Sequence, residues 1–179
     1  MRPLTTTRRC DPVGMRCRLT LVTLVLLLGG CDGYGSAAST DPSPTQASPS
    51  PGPTFDSASA IVRGDEGSVL IRVEVAQSAE QRSRGLMFRN SLPADAGMVF
   101  LFFEPTQGGF WMKNTEIPLS IAFFAQDGEI LDILDMKPCR SDPCPVYTPD
   151  ATYFGALEVN QGAFEEWGIS EGDVVHMNQ

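Results

Sequence analysis

Val69-Leu70-Ile71-Arg72-Val73-Glu74-Val75 decides how this chain folds. From Leu70 onward, Ile71, Val73 and Val75 fall on one side of an extended backbone, and Arg72 and Glu74 fall on the other. A period of two marks a strand with one buried face and one wet face. Ser78-Ala79-Glu80-Gln81 follows, the Ser-x-x-Gln spacing of a capping box, and opens a short helix that closes near Gly85.

Further along, extended segments keep recurring. Leu92-Pro93-Ala94-Asp95-Ala96-Gly97 reads as a turn, and Met98 to Phe103 is an apolar run of strand length, expected to be buried on both faces. Gly108-Gly109 breaks the chain before Phe110-Trp111-Met112. Ile121 to Phe124 and Glu129 to Leu134 flank Gln126-Asp127-Gly128, and Asp-Gly is a strong hairpin signal. Gly155 to Val159 is a further strand. Asn160 is expected to cap a helix from Gln161 to Trp167, ended by Gly168, and Val174 to Met177 is a last strand. Pro118 and Pro143 mark edges or loops, because proline cannot donate to a ladder. Short strands at this spacing leave no room for repeated βαβ units. The expected fold is mainly β, an antiparallel jelly-roll-like sandwich or barrel with one or two short helices.

Outward toward the N-terminus the composition changes. Leu19 to Leu28 is apolar and preceded by Arg16 and Arg18. A membrane-spanning helix needs about 20 apolar residues, so this run suits the core of a signal peptide instead. Leu28-Gly29-Gly30-Cys31 ends it. Small residues before a cysteine are the mark of a lipoprotein signal, so residues 1–30 are expected to be removed and Cys31 to carry the lipid. Met15 directly precedes the basic flank and is the expected true start. Acyl chains on Cys31 gain roughly 0.8 kcal/mol per buried methylene, enough to hold the protein on a bilayer. Residues 31–54 form the expected linker, rich in Pro, Ser and Thr and poor in core formers. A flexible linker of that length spans on the order of 25 Å. Residues 55–179 are expected to form one globular domain outside the cytoplasmic membrane.

The chain's formal net charge is −9. Five Arg and one Asp precede Cys31, so the leader carries +4 and the remainder −13. Such acidity disfavours nucleic acid and anionic membrane surfaces. Of the five cysteines, Cys10 and Cys17 lie in the leader and Cys31 is the lipid site, leaving Cys139 and Cys144. Outside the cytoplasm that pair is expected to form a structural disulfide. A metal pair or a redox pair is the alternative, but zinc asks for about four ligands and His176 is the only histidine, while redox motifs usually have two intervening residues. No metal or cofactor is expected.

Cations are scarce beyond the leader, yet Arg82, Arg84 and Arg89 crowd around Gly85-Leu86-Met87-Phe88. Trp111, Lys113 and Asn114 sit together at a strand end. If Arg84, Arg89 and Lys113 converge, they can hold a carboxylate, phosphate or sulfate. The plainer alternative is that the cations pair with the abundant carboxylates and that Phe110 and Trp111 are core. Nucleophile motifs are missing: there is no Gly-x-Ser-x-Gly elbow, and no phosphate-binding loop surrounds Gly108-Gly109. Glu158 with Asp173 is a candidate carboxylate dyad.

Several strings then stand out together: Arg84-Gly85-Leu86-Met87-Phe88-Arg89, Gly97-Met98-Val99-Phe100, Phe110-Trp111-Met112-Lys113-Asn114-Thr115, Ile117-Pro118-Leu119 with Ile121-Ala122-Phe123, and Ala156-Leu157-Glu158-Val159-Asn160-Gln161-Gly162 with Gly172-Asp173. From about Val69 to Met177 the chain resembles the domain of unknown function 192 family. The resemblance implies a β-rich, jelly-roll-like fold and a secreted or membrane-attached protein, and it implies no particular activity. Members typically have Asp where this chain has Ser120. A catalytic or metal-binding role for that Asp would be lost here; a turn-capping role would survive the change. The expected function is a lipid-anchored, non-enzymatic binding or scaffold module. Its ligand face comprises Arg84, Arg89, Trp111, Lys113, Asn114 and Glu158, and its partner is a small anion or another envelope protein. A small hydrolase or transferase using Glu158 and Asp173 is the alternative.

Overall fold

A computed structural model describes residues 52–178. The signal peptide, the lipid site at Cys31 and nearly all of the linker lie outside the described residues. Strands are β1 (Asp56–Gly64), β2 (Gly67–Ala76), β3 (Ala96–Thr106), β4 (Phe110–Trp111), β5 (Leu119–Phe124), β6 (Ile130–Met136), β7 (Val146–Tyr147), β8 (Tyr153–Asn160) and β9 (Val174–Asn178); helices are α1 (Ala79–Arg84) and α2 (Ala163–Glu166).

Seven strands form one sheet in the order β6-β5-β8-β3-β2-β1-β9, and β4 pairs with β7 in a small ribbon. The alternation in β2 holds: Ile71, Val73 and Val75 are buried. The hairpin at Asp127-Gly128 holds too, joining β5 and β6. The sheet's two edges meet where Glu129 bridges Val174. There Ile130 N–H donates to Asp173 O at 2.7 Å and Val175 N–H donates to Gly128 O at 2.9 Å. The sheet therefore curls into a half-barrel, which shields edges that would otherwise invite pairing with other chains.

Each face of the sheet carries its own core. Inside the curl lie Ala60, Val62, Ile71, Val73, Val99, Leu157, Val159 and Val175, plugged by Ala163 and Phe164 of α2 and by Ile169. On the outer face Met98, Phe100, Leu119, Ile121, Phe123, Tyr153 and Ala156 pack under Leu86, Met112 and Ile117. Alternation along β8 assigns the sides: Leu157 and Val159 point in, Ala156 and Glu158 point out.

Four readings from sequence need correction. β2 and β3 run parallel, because α1 carries the chain across between them. β1 was not foreseen; its polar Ser57 and Ser59 dilute the apolar signal of Ala60 and Val62. Met98 to Phe103 is not buried throughout. The regular β3–β8 register is interrupted beyond Leu101, and Phe103 is 89% exposed. Asn160 does not cap α2: Gly162 does so with no side-chain bond. The Asn160 amide instead donates to the carbonyls of Leu92 and Pro93 at 3.0 and 3.2 Å, tying β8 to the turn before β3.

Candidate functional site

α1 forms as its capping box dictates. Gln81 N–H donates to Ser78 Oγ at 3.1 Å, and Ser78 N–H donates to Gln81 Oε1 at 2.9 Å. Such a cap contributes about 1 kcal/mol. Gly85 stops the helix at φ 43°, where a side chain is strained, and a Cβ there would sit 3.3 Å from the Phe100 ring. The chain then drops Leu86 into the outer core and turns outward at Phe88, whose φ of 64° is unusual for a bulky residue. The turn is held by Phe88 N–H donating to Asn114 O at 2.8 Å. Asn114 is itself left-handed at φ 57°, a conformation asparagine tolerates.

This geometry divides the six residues of the expected ligand face. Arg84 and Arg89 line one cavity of about 390 Å³ with Pro53, Phe55, Met87 and Phe88. The Arg84 guanidinium stacks 4.6 Å from the Phe88 ring centroid. Arg89 grips Glu74 with two bonds, at 3.0 and 2.5 Å. Lys113 does not join them. It pairs with Asp142 at 3.1 Å and lies 5.8 Å from the Trp111 ring centroid. Asn114 is exposed and serves the Phe88 turn.

Glu158 and Trp111 line a different space. A slot of about 30 Å³ opens between α1 and β4, walled by Leu86, Phe100, Phe110, Trp111 and Thr115, with Glu158 among its lining. Glu158 is 5% exposed and sits in mid-sheet between Met98 of β3 and Ile121 of β5. Burial in apolar surroundings pushes its carboxyl up to about 8. Edge-to-face contacts stiffen the walls, Phe100 on Phe110 at 4.9 Å and Phe110 on Phe123 at 5.7 Å. Tyr153 closes the outer core, its hydroxyl donating to Gly108 O at 2.5 Å, and burial lifts that phenol to about 12.

The proposed carboxylate dyad is not assembled. Asp173 lies in the turn before β9, accepting from Ser170 N–H at 2.8 Å and abutting Gly64, while Glu158 faces the slot on the outer side of β8. Catalytic carboxyl pairs flank one substrate at less than about 10 Å and share one cavity. Asp173 does not line the slot that Glu158 faces. Cys139 and Cys144 form the expected disulfide, with Cα atoms 5.6 Å apart. Among the described residues no three His, Cys, Asp or Glu side chains gather as a metal site, and no helix is long and apolar enough to cross a membrane. Ser120 is structural: its hydroxyl donates to Asp135 at 2.5 Å and accepts from Gly162 N–H at 2.9 Å, fixing the start of α2.

Sequence reasoning missed Leu86, Phe100 and Thr115 as slot residues. Their signal was present, since each lies beside or within a string that carries the family resemblance, but apolar residues there read as core.

The chain belongs to the DUF192 family, described as "Uncharacterized ACR", over residues 60–177. A crystal structure of a proposed transcription regulator from Sinorhizobium meliloti is similar, with 31% identity and a TM-score of 0.65, covering 69% of this chain and 95% of that one. So is that of a protein of unknown function from Novosphingobium aromaticivorans, with 32% identity and a TM-score of 0.63, covering 67% and 84%. Comparison with curated proteins returns no match.

Proposed function

We propose that this protein is a lipid-anchored, extracytoplasmic binding module, not an enzyme, that captures a small anion between Arg84 and Arg89. One observation carries this reading: Arg84 and Arg89 line a single cavity of about 390 Å³, within the usual size range of ligand pockets. Among the described residues Arg84 has no carboxylate partner. Its guanidinium lies on a ring rather than against a carboxylate, and a planar, always-charged fork suits carboxylate, phosphate or sulfate. Arg89 is held in place by Glu74, whose carboxylate offsets its charge, so it offers the anion its remaining N–H donors rather than net charge. Anchoring rests on the Gly-Gly-Cys31 string and its apolar run. Transcription regulation, the role proposed for the Sinorhizobium meliloti neighbour, is not carried over, because a chain of net charge −9 repels the phosphate backbone.

Calorimetric titration of the full-length protein with inorganic phosphate, sulfate and succinate tests the ligand. Saturable binding of one of them that disappears in Arg84→Ala, with the melting temperature held within a few degrees, supports the module. Silence toward all three overturns the anion. For the anchor, labelled palmitate on the wild type and a Cys31→Ala protein recovered from the aqueous fraction are the expected results.

A further inference from the structure

We infer that the slot above Glu158 is a second seat, adjoining the anion cavity along Arg84, Gly85 and Met87 and built for a primary alkylammonium group such as the end of a lysine side chain. The Glu158 carboxyl is buried in mid-sheet, beside a slot of about 30 Å³. That space holds one water-sized group, so a bare ammonium head enters and a trimethylammonium or phosphate does not. Phe110 and Trp111 supply ring surfaces, which attract cations. Thr115, also buried, adds a hydroxyl that can accept a hydrogen bond.

No described cation competes for the carboxyl. Its cross-strand neighbours, Met98 and Ile121, are apolar. Among the described residues the other charged ones lining the slot are Arg82 and Arg84 of α1. Arg82 donates to the carbonyls of Gln77 and Leu101 and lies 4.8 Å from the Phe102 centroid. Arg84 lies over Phe88. A buried carboxyl without a counter-charge holds a proton near neutrality, in keeping with its elevation to about 8. An entering ammonium replaces that proton as the neutralising charge. Glu158 gives one proton to solvent and keeps the carboxylate, and no bond in the ligand changes.

The test titrates n-butylammonium into the full-length protein by calorimetry at pH 6.5 and 8.5. Affinity should be roughly 20-fold tighter at pH 8.5, following the ionised fraction of a carboxyl titrating near 8. At pH 6.5, titrations in two buffers of different ionisation heat should register close to one proton released per amine bound. Glu158→Gln should abolish amine binding and keep the anion binding assigned to Arg84, which separates failure of this seat from failure of the anion reading. Tetramethylammonium should not compete. Equal affinity at the two pH values, no saturable binding at pH 8.5, or unchanged binding in Glu158→Gln would each overturn the proposal; should that variant not fold, the two wild-type measurements still decide.

Discussion

The inner and outer faces of the curled sheet are packed by different rules. Inside, aliphatic side chains from seven strands meet the plug of α2, and the buried polar side chain there among the described residues, Ser120, has both a donor and an acceptor partner. Outside, the core is aromatic and methionine-rich, two residues hold left-handed backbone, and a carboxyl is buried at Glu158. Neighbours in sequence on β8 therefore serve opposite ends: Leu157 and Val159 hold the barrel together, while Glu158 costs it stability. Liabilities of this kind cluster at functional sites.

The sharpest way to break this contrast is Glu158→Gln. A carboxyl raised from 4.5 to about 8 takes up protons on folding, so its burden is absent below about pH 4.5, grows as pH rises, and is complete above about pH 8. At pH 8.5 the glutamine variant should be more stable by on the order of 4 kcal/mol, with little difference at pH 4.5. Denaturant unfolding at both pH values checks this, and a gap that does not widen with pH refutes it. On the inner face, Leu157→Ala should lose about 3 kcal/mol at every pH, since it opens a cavity in an apolar core. A pH-dependent loss there would erase the distinction between the faces.

Smaller changes sharpen it. Tyr153→Phe removes the donor to Gly108 O and should cost about 1 kcal/mol, with Phe102 and Phe123 still packed on the ring. Lys113→Ala removes a solvent-exposed pair with Asp142 and should shift stability by less than about 0.5 kcal/mol, leaving anion binding unchanged. A large loss of anion affinity in that variant would return Lys113 to the ligand face.

Legibility followed the range of the interactions. The capping box, the period-two pattern of β2 and the Asp-Gly hairpin depend on residues a few positions apart, and each was readable. Phe103 and Asn160 were misread because their environments come from a break in the β3–β8 register and from a bond reaching 68 residues back. In the candidate site, Arg84 and Arg89 flank a short loop and their convergence was foreseeable. Lys113 was drawn away by Asp142, 29 residues along, a choice that a surplus of carboxylates suggested without saying which one.

By itself, the order of residues determined a β-rich domain of the DUF192 family with a paired Cys139–Cys144 and a cationic loop, because hydrophobic period, caps and turn chemistry are local. Only the tertiary structure decided that the candidate face divides, with Arg84 and Arg89 on one cavity, Glu158 and Trp111 on a slot that Arg84 also lines, and Lys113 drawn to Asp142. Burial and electrostatics at those atoms come from strands and a helix far apart in the chain, and no local pattern encodes which of them will meet.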